Sequence, residues 1–134
     1  MADTLSFQLV SPERLVLARD AAMVVVPGAE GDFGVLPEHA PIISSVRPGV
    51  IEVYEGNQVA DRVFVAGGFA EVSANHCIVL AEEAVPVGDL DRAAVEARIK
   101  AAEQAVEDAR TETDRSRAET EVVVARAMLE FVGS

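Results

Sequence analysis

The chain is short of the residues from which several kinds of protein are built. Its 134 residues include one cysteine, no tryptophan, one tyrosine and two histidines. A lone Cys77 excludes a disulfide framework within the chain, and one cysteine with two histidines does not make a structural zinc site without other ligands. Bases are scarce as well: 11 Lys+Arg stand against 23 Asp+Glu, a formal charge of −12. That balance excludes a surface that grips nucleic acid by counterion release, and equally a basic helix lying on a membrane. No segment approaches the roughly 18 consecutive apolar residues of a membrane helix, and Met1-Ala2-Asp3 has neither the basic nor the apolar region of a signal peptide. The expectation is a soluble protein of cytoplasmic type, with no direct membrane insertion and no nucleic-acid partner.

A further absence divides the chain. All six prolines and eight of nine glycines lie at or before Gly88, and from Asp89 to Val132 there is neither. Four of five phenylalanines and Tyr54 are also in the first part, while alanine fills the second. Gly and Pro fix turns, β-branched and aromatic residues suit strands, and alanine enters a helix at least cost. The pattern predicts an N-terminal antiparallel β-sandwich over 1–87 and a C-terminal two-helix antiparallel hairpin over 88–134, joined by a hinge at Pro86-Val87-Gly88.

In the first part Thr4–Val10 alternates, with Leu5, Phe7 and Leu9 on one face. Strand-like runs follow at Arg14–Ala18, Met23–Val26, Pro41–Arg47, Val50–Tyr54, Val59–Ala66, Phe69–Ser73 and Cys77–Ala81. Turn signals separate them at Ser11-Pro12-Glu13, Arg47-Pro48-Gly49, Glu55-Gly56-Asn57 and Gly67-Gly68. No stretch between runs is long enough for a crossover helix, which favours a sandwich or barrel over βαβ units. In the second part Val95, Ile99, Ala102, Val106 and Ala109 are spaced 4, 3, 4, 3, and Ala118, Val122, Ala125, Leu129 and Val132 repeat the spacing. Each set places an apolar stripe on one helix face. Thr111–Asp114 interrupts the pattern and is read as the turn; Asp89 or Asp91 suits the cap of the first helix.

Candidate chemistry is sparse. Gly28, Gly31 and Gly34 at three-residue spacing suggest a phosphate cradle, but no Gly-Lys-[Ser/Thr] follows, Glu30 and Asp32 repel phosphate, and Pro37 with Pro41 discourages a helix there. A long glycine-permitted turn is the expectation. Adjacent His76 and Cys77 on a strand point to opposite faces and do not converge on a substrate or ion. Glu38-His39 sits in a loop, where function concentrates. No serine has a Gly-x-Ser-x-Gly context. No catalytic residue, metal site or cofactor is expected, and the residues point to an interaction subunit.

The run Gly31-Asp32-Phe33-Gly34-Val35-Leu36-Pro37-Glu38-His39-Ala40-Pro41 resembles the loop motif of the epsilon subunits of F-type ATP synthases. Arg47-Pro48-Gly49, Gly67-Gly68-Phe69-Ala70-Glu71-Val72, Val79-Leu80-Ala81-Glu82 and Leu90-Asp91 resemble later segments of that family, in order and over nearly the whole chain. The resemblance implies a non-catalytic rotor subunit of the central stalk. Its sandwich would dock on the gamma subunit and on the polar loops of the c-ring, coupling proton translocation to ATP synthesis at the cytoplasmic face of the energy-coupling membrane. By the same resemblance Glu30, Gly31, Asp32, Phe33 and His39 are interface candidates, with Asp32 at the acidic position facing the c-ring loops and His39 near the gamma interface. In some members the hairpin extends toward the alpha/beta catalytic head and restrains ATP hydrolysis. Here three arginines against four acids between Asp114 and Glu130 are a weak basis for gripping an acidic surface.

Some members also bind ATP through Ile/Leu-Asp-x-x-Arg-Ala on the first helix and arginines on the second. In this chain Asp91 and Arg126 match, but Ala94 stands where the arginine is expected. Arg92 lies two residues early, about 200° round the helix. Glu119 occupies the position seven residues before Arg126. Nucleotide binding is therefore not expected. The alternative reading is a free-standing β-sandwich ligand-binding module that dimerises through its hairpin; a third, a small hydrolase using His39, Glu38 and another acid, requires activity in the isolated chain that disappears in His39→Ala.

Overall fold

The computed structural model describes residues 3–134. The reading of Met1-Ala2-Asp3 rests largely on residues 1 and 2, outside the described residues. The chain divides into two compact units, residues 1–86 and 87–134.

In the first unit the period-two pattern becomes strands. In β1 (Leu5–Val10) Leu5, Phe7 and Leu9 are buried while Ser6, Gln8 and Val10 face the other way and keep solvent contact. There follow β2 (Leu15–Ala21), β3 (Met23–Gly28), β4 (Gly31–Val35), β5 (Ile42–Val46), β6 (Gly49–Glu55), β7 (Gln58–Val65), β8 (Gly68–Ser73), β9 (His76–Ala81) and β10 (Ala84–Pro86). Hydrogen bonding joins them in the order β10-β7-β6-β3-β5-β8-β9-β1-β2, with β4 beside β3. All pairs are antiparallel except β1 with β9.

A single residue pair, Gly28 with Val46, links β3 to β5. The ladder folds there into two layers, β10-β7-β6-β3-β4 and β5-β8-β9-β1-β2. One core cluster draws on both: Val24, Val26, Ile51, Val53 and Val65 from the first, Phe7, Leu9, Val72, Cys77 and Val79 from the second. Phe7, Leu9, Ile51 and the valines at 24, 26, 53, 65 and 79 are fully enclosed, each contributing about 1.5–3 kcal/mol over exposure. This is the β-sandwich expected from the sequence.

Two strands were not expected. The stretch read as a long turn after Val26 is a tight hairpin: β3 runs on to Gly28 and β4 starts at Gly31, so the turn proper is Ala29-Glu30. Two glycines flanking two residues favour a short hairpin turn, a local signal stronger than the overall glycine content. The stretch read as a hinge also begins as structure: Ala84–Pro86 pairs with β7, with Pro86 opposite Val63, and Val87–Asp89 forms one 3₁₀ turn in which Val87 is buried. Proline is tolerated there because β10 ends the ladder.

The second unit is the antiparallel pair α1 (Arg92–Asp108) and α2 (Glu112–Phe131). Asp91 caps α1, its carboxylate accepting the Ala94 N–H at 2.9 Å; Asp89 belongs to the 3₁₀ turn. The connection is shorter than expected. Thr111 caps α2 by accepting the Asp114 N–H at 3.0 Å, so Glu112–Asp114 are the first turn of the helix, where acids suit its dipole. Of the α1 stripe Val95 and Ala102 are buried, with Ile99, Val106 and Ala109 half-buried. On α2 the buried arc is wider than one stripe: Val124 and Met128 are buried beside Ala118 and Ala125.

Candidate interaction surface of the sandwich

The site residues named from the sequence fall at two places in the first unit. Glu30, Gly31, Asp32 and Phe33 lie together at the β3–β4 hairpin tip. Gly31 holds φ at 140°, where side chains are strained. Gly28 is required for space instead: a Cβ there would approach the Gly31 carbonyl oxygen to 2.7 Å and the Phe33 ring to 2.9 Å. Phe33 thus covers Gly28, half-buried against the core.

Asp32 already has a cationic partner within the chain. Arg47, in the β5–β6 turn, donates from one guanidinium nitrogen to Asp32 Oδ1 at 2.5 Å and from the other to the Gly28 carbonyl at 2.5 Å. Its backbone N–H donates to the Pro27 carbonyl at 2.9 Å, and the Ala29 N–H donates to the Ser45 carbonyl at 2.9 Å. Four hydrogen bonds therefore strap the hairpin tip to the end of β5. Glu30, in the turn itself, is exposed and has no ion-pair partner among the described residues.

His39 is elsewhere. From Asp32 the chain runs along β4 for three residues to Val35, about 10 Å at 3.3 Å each, and His39 follows in the next loop. That loop rests on the β8–β9 turn, where the Glu38 N–H donates to the Ala74 carbonyl at 2.5 Å with Glu38 at φ 64°. His39 Nδ1 lies 2.6 Å from the Ala40 carbonyl oxygen, which fixes Nδ1 as the donor and Nε2 as the free ring position. His76 is exposed, whereas Cys77 is buried and its thiol is pushed up to about 12 by loss of hydration. A thiol so placed is not a nucleophile near neutral pH. Among the described residues no group of three or more His, Cys, Asp or Glu is arranged to hold a metal.

One feature of this layer was missed in the sequence. Strand register sets Ser45, Phe69, Leu80, Val10 and Leu15 in a row across the outer face of β5-β8-β9-β1-β2. Phe69 is 58% exposed, Leu80 56% and Leu15 54%; in the next row Ile43 is 75% exposed. Val10, Pro12, Phe69 and Leu80 help line an open groove of about 470 Å³. Glu71 is the single Asp, Glu, Lys or Arg at the outward positions of β5, β8, β9 and β1. The available signal was Cys77-Ile78-Val79-Leu80, apolar in both phases of the strand, where a half-exposed strand alternates.

In the second unit the two residues matching the nucleotide motif are engaged internally. The Asp91 carboxylate is the α1 cap. Arg126 donates to Glu103 Oε2 at 2.6 Å, and Arg98 pairs with Glu121 and reaches Met128 Sδ at 3.6 Å. No helix among the described residues is long and apolar enough to cross a membrane.

Comparison with known proteins agrees with this arrangement. The family model described as "ATP synthase, Delta/Epsilon chain, beta-sandwich domain" matches residues 4–87. The ATP synthase epsilon chain of Paramagnetospirillum magneticum is 53% identical over 128 residues, covering 96% of each chain. That of Rhodospirillum rubrum is 50% identical over 129 residues, again covering 96% of each. Among solved structures, a chain of the Euglena gracilis mitochondrial ATP synthase OSCP/F1/c-ring assembly has the same fold, with a TM-score of 0.78 at 24% identity over 96% of this chain and 81% of that one. With a sandwich matched over its whole length and relatives half identical from end to end, the chain belongs to the epsilon-chain family of ATP synthases.

Proposed function

We propose that this chain is a non-catalytic rotor subunit of the central stalk of an F-type ATP synthase, peripheral at the cytoplasmic face of the energy-coupling membrane. Its sandwich, residues 1–87, docks on the gamma subunit and on the polar loops of the c-ring, and so couples proton translocation to ATP synthesis. The observation that carries the reading is the outer face of β5-β8-β9-β1-β2. An uncharged row of half-exposed apolar side chains, on a face whose outward charges are Glu71 and Asp20, in a chain of net charge −12, has the composition of an interface core, from which charged residues are depleted. The hairpin tip with Glu30, Gly31, Asp32 and Phe33 is the contact toward the c-ring loops, and the His39 loop the contact toward gamma. The hairpin, residues 88–134, is a separate domain that takes no nucleotide, since Asp91 and Arg126 are committed to the cap and to Glu103.

The test is attachment. The chain should co-purify with the membrane ATPase and leave the membrane with it at low ionic strength. Phe69→Ser together with Leu80→Ser, both half-exposed, should weaken attachment by more than the stability lost in the isolated protein accounts for. A chain that sediments alone as a self-sufficient oligomer, and never with the ATPase, would refute the reading in favour of a free-standing binding module.

A further inference from the structure

We infer that the helical hairpin carries a docking surface of its own, a carboxylate-rimmed groove between α1 and α2, whose occupant is a cationic amphipathic helix of a partner protein. The surface lies wholly within the second unit and does not depend on the docking of the sandwich. Val106 from α1 and Val122 and Val123 from α2 line an open groove of about 450 Å³, and Glu103, Glu107 and Glu119 rim it. Glu103 and Glu107 stand one turn apart on α1, as Glu119 and Val123 do on α2, so each pair shares a face of its helix. Val123 falls outside the apolar stripe of α2 and is the one large apolar side chain of the hairpin left exposed among the described residues. A solvent-facing helix position ordinarily carries a polar residue, and a β-branched valine is not favoured there by helix propensity either. Charge decides the occupant. Glu103 accepts from Arg126 at 2.6 Å, whereas Glu107 and Glu119 have no ion-pair partner among the described residues, although Arg110 and Arg115 lie within a turn of them. A second copy of the chain, net charge −12, would bring the same carboxylates face to face across a two-fold axis. Nucleic acid and an anionic bilayer are repelled for the same reason. A helix with an apolar side chain and a Lys or Arg one turn away meets the valines and a free carboxylate together, with no existing ion pair to break.

The probe is a pair of alanine-based helical peptides of about 18 residues, one with leucines at i and i+4 flanked one turn away by lysines, its twin with glutamates for those lysines. Each is titrated into the full-length chain at low salt and followed by methyl NMR. The lysine peptide should move the signals of Val106, Val122 and Val123 and leave those of Val24 and Val26 in place; the glutamate peptide should move none. Glu107→Gln and Glu119→Gln, which keep helix propensity, should each weaken binding about two- to fivefold. Val123→Thr, which keeps the side-chain shape, should weaken it about three- to tenfold. Glu13→Gln, at an exposed acid of the sandwich, should leave affinity within about 1.5-fold. Arg126→Gln should tighten binding about twofold, because it releases the Glu103 carboxylate to the rim. A hairpin loosened by substitution only loses affinity, so this gain separates a charged rim from a folding effect. Weaker binding in Arg126→Gln, equal shifts with the glutamate peptide, or a loss in Glu13→Gln as large as in Glu107→Gln would overturn the inference. Movement of the three valine signals with protein concentration alone would assign the groove to a second copy and overturn it as well.

Discussion

Gly68 and Gly31 allow backbone strain to be separated from steric overlap within one molecule. The two have nearly the same φ, 144° and 140°, a region in which a side chain costs about 1–3 kcal/mol. Their surroundings differ. A Cβ on Gly31 meets nothing within 4 Å, whereas a Cβ on Gly68 runs into the Leu80 carbonyl oxygen and lies 2.9 Å from the Leu80 carbonyl carbon. Those atoms are backbone of β9, paired with β8 through Gly68–Ala81 and Phe69–Leu80, so they cannot yield without breaking the ladder. Gly31→Ala should therefore cost only the strain, about 1–3 kcal/mol, and Gly68→Ala at least about 2 kcal/mol more. Gly67→Ala, at φ 125° with its Cβ 3.4 Å from the Val46 carbonyl oxygen, should fall between them. Tyr54, the single tyrosine in a chain without tryptophan, lies in β6 and reports the sandwich alone, so urea unfolding followed by tyrosine fluorescence is the assay. With a slope of about 1–1.5 kcal/mol per molar urea, the midpoint moves about 0.7–3 M for Gly31→Ala. A total stability of about 5 kcal/mol leaves Gly68→Ala at most about 2 kcal/mol, at the edge of unfolding before urea is added. Equal midpoints for the two variants would show that β9 yields, and the account of why Gly67-Gly68 is needed would be wrong.

Other expectations are narrower. Cys77 keeps its proton to about pH 12 when folded, against an ordinary value of 9.0, so the folded state holds a proton that the unfolded chain releases between these values. Sandwich stability should be intact below pH 9 and fall by about 1.4 kcal/mol per pH unit above it; Cys77→Ala should abolish that part of the slope in pH-dependent unfolding. The same thiol should resist a disulfide reagent at pH 8 until the protein is unfolded. Asp91→Ala and Thr111→Ala should each lower hairpin stability by about 1 kcal/mol, read as helical circular dichroism on heating, while Tyr54 fluorescence is unaffected. Millimolar ATP should leave the melting temperature of the chain unchanged; an upward shift abolished by Arg126→Ala would refute the absence of a nucleotide site. Removing residues 88–134 should leave ATP hydrolysis by the assembled complex unchanged, and a rise in its rate would establish restraint by the hairpin.

The two-part layout was legible because its signals are long: Gly and Pro end at Gly88, and the alternation from Leu5 to Leu9 and the 4, 3 spacing from Val95 admit one reading each. What was misread is short. β4 is five residues, three of them glycine or aspartate, and its strand character comes from pairing with β3 instead of from propensity. β10 is three residues ending in proline and exists because β7 has an edge to cover. Thr111 reads equally as a turn residue or as a cap, and only the side-chain bond to Asp114 decides. The outer apolar row is hinted at only by Cys77-Ile78-Val79-Leu80, and only register assembles it, since Val10, Leu15, Phe69 and Leu80 are not contiguous in sequence.

Three residues of a recognition type share one physical circumstance. Asp32, Asp91 and Arg126 are each of the kind that binds a partner charge or a phosphate, and each has its charge engaged inside the chain, by Arg47, by the α1 N-terminus and by Glu103. A group already paired in solvent gains little from a second partner, because the bond broken is worth about as much as the bond made. The groups with most to gain on assembly are those left unsatisfied in the isolated chain. On the sandwich these are the exposed apolar side chains, whose burial contributes about 25 cal/mol per Å² with nothing to displace but water. The apolar row then supplies affinity over an area, so loss of a row residue should speed release of the chain more than it slows attachment.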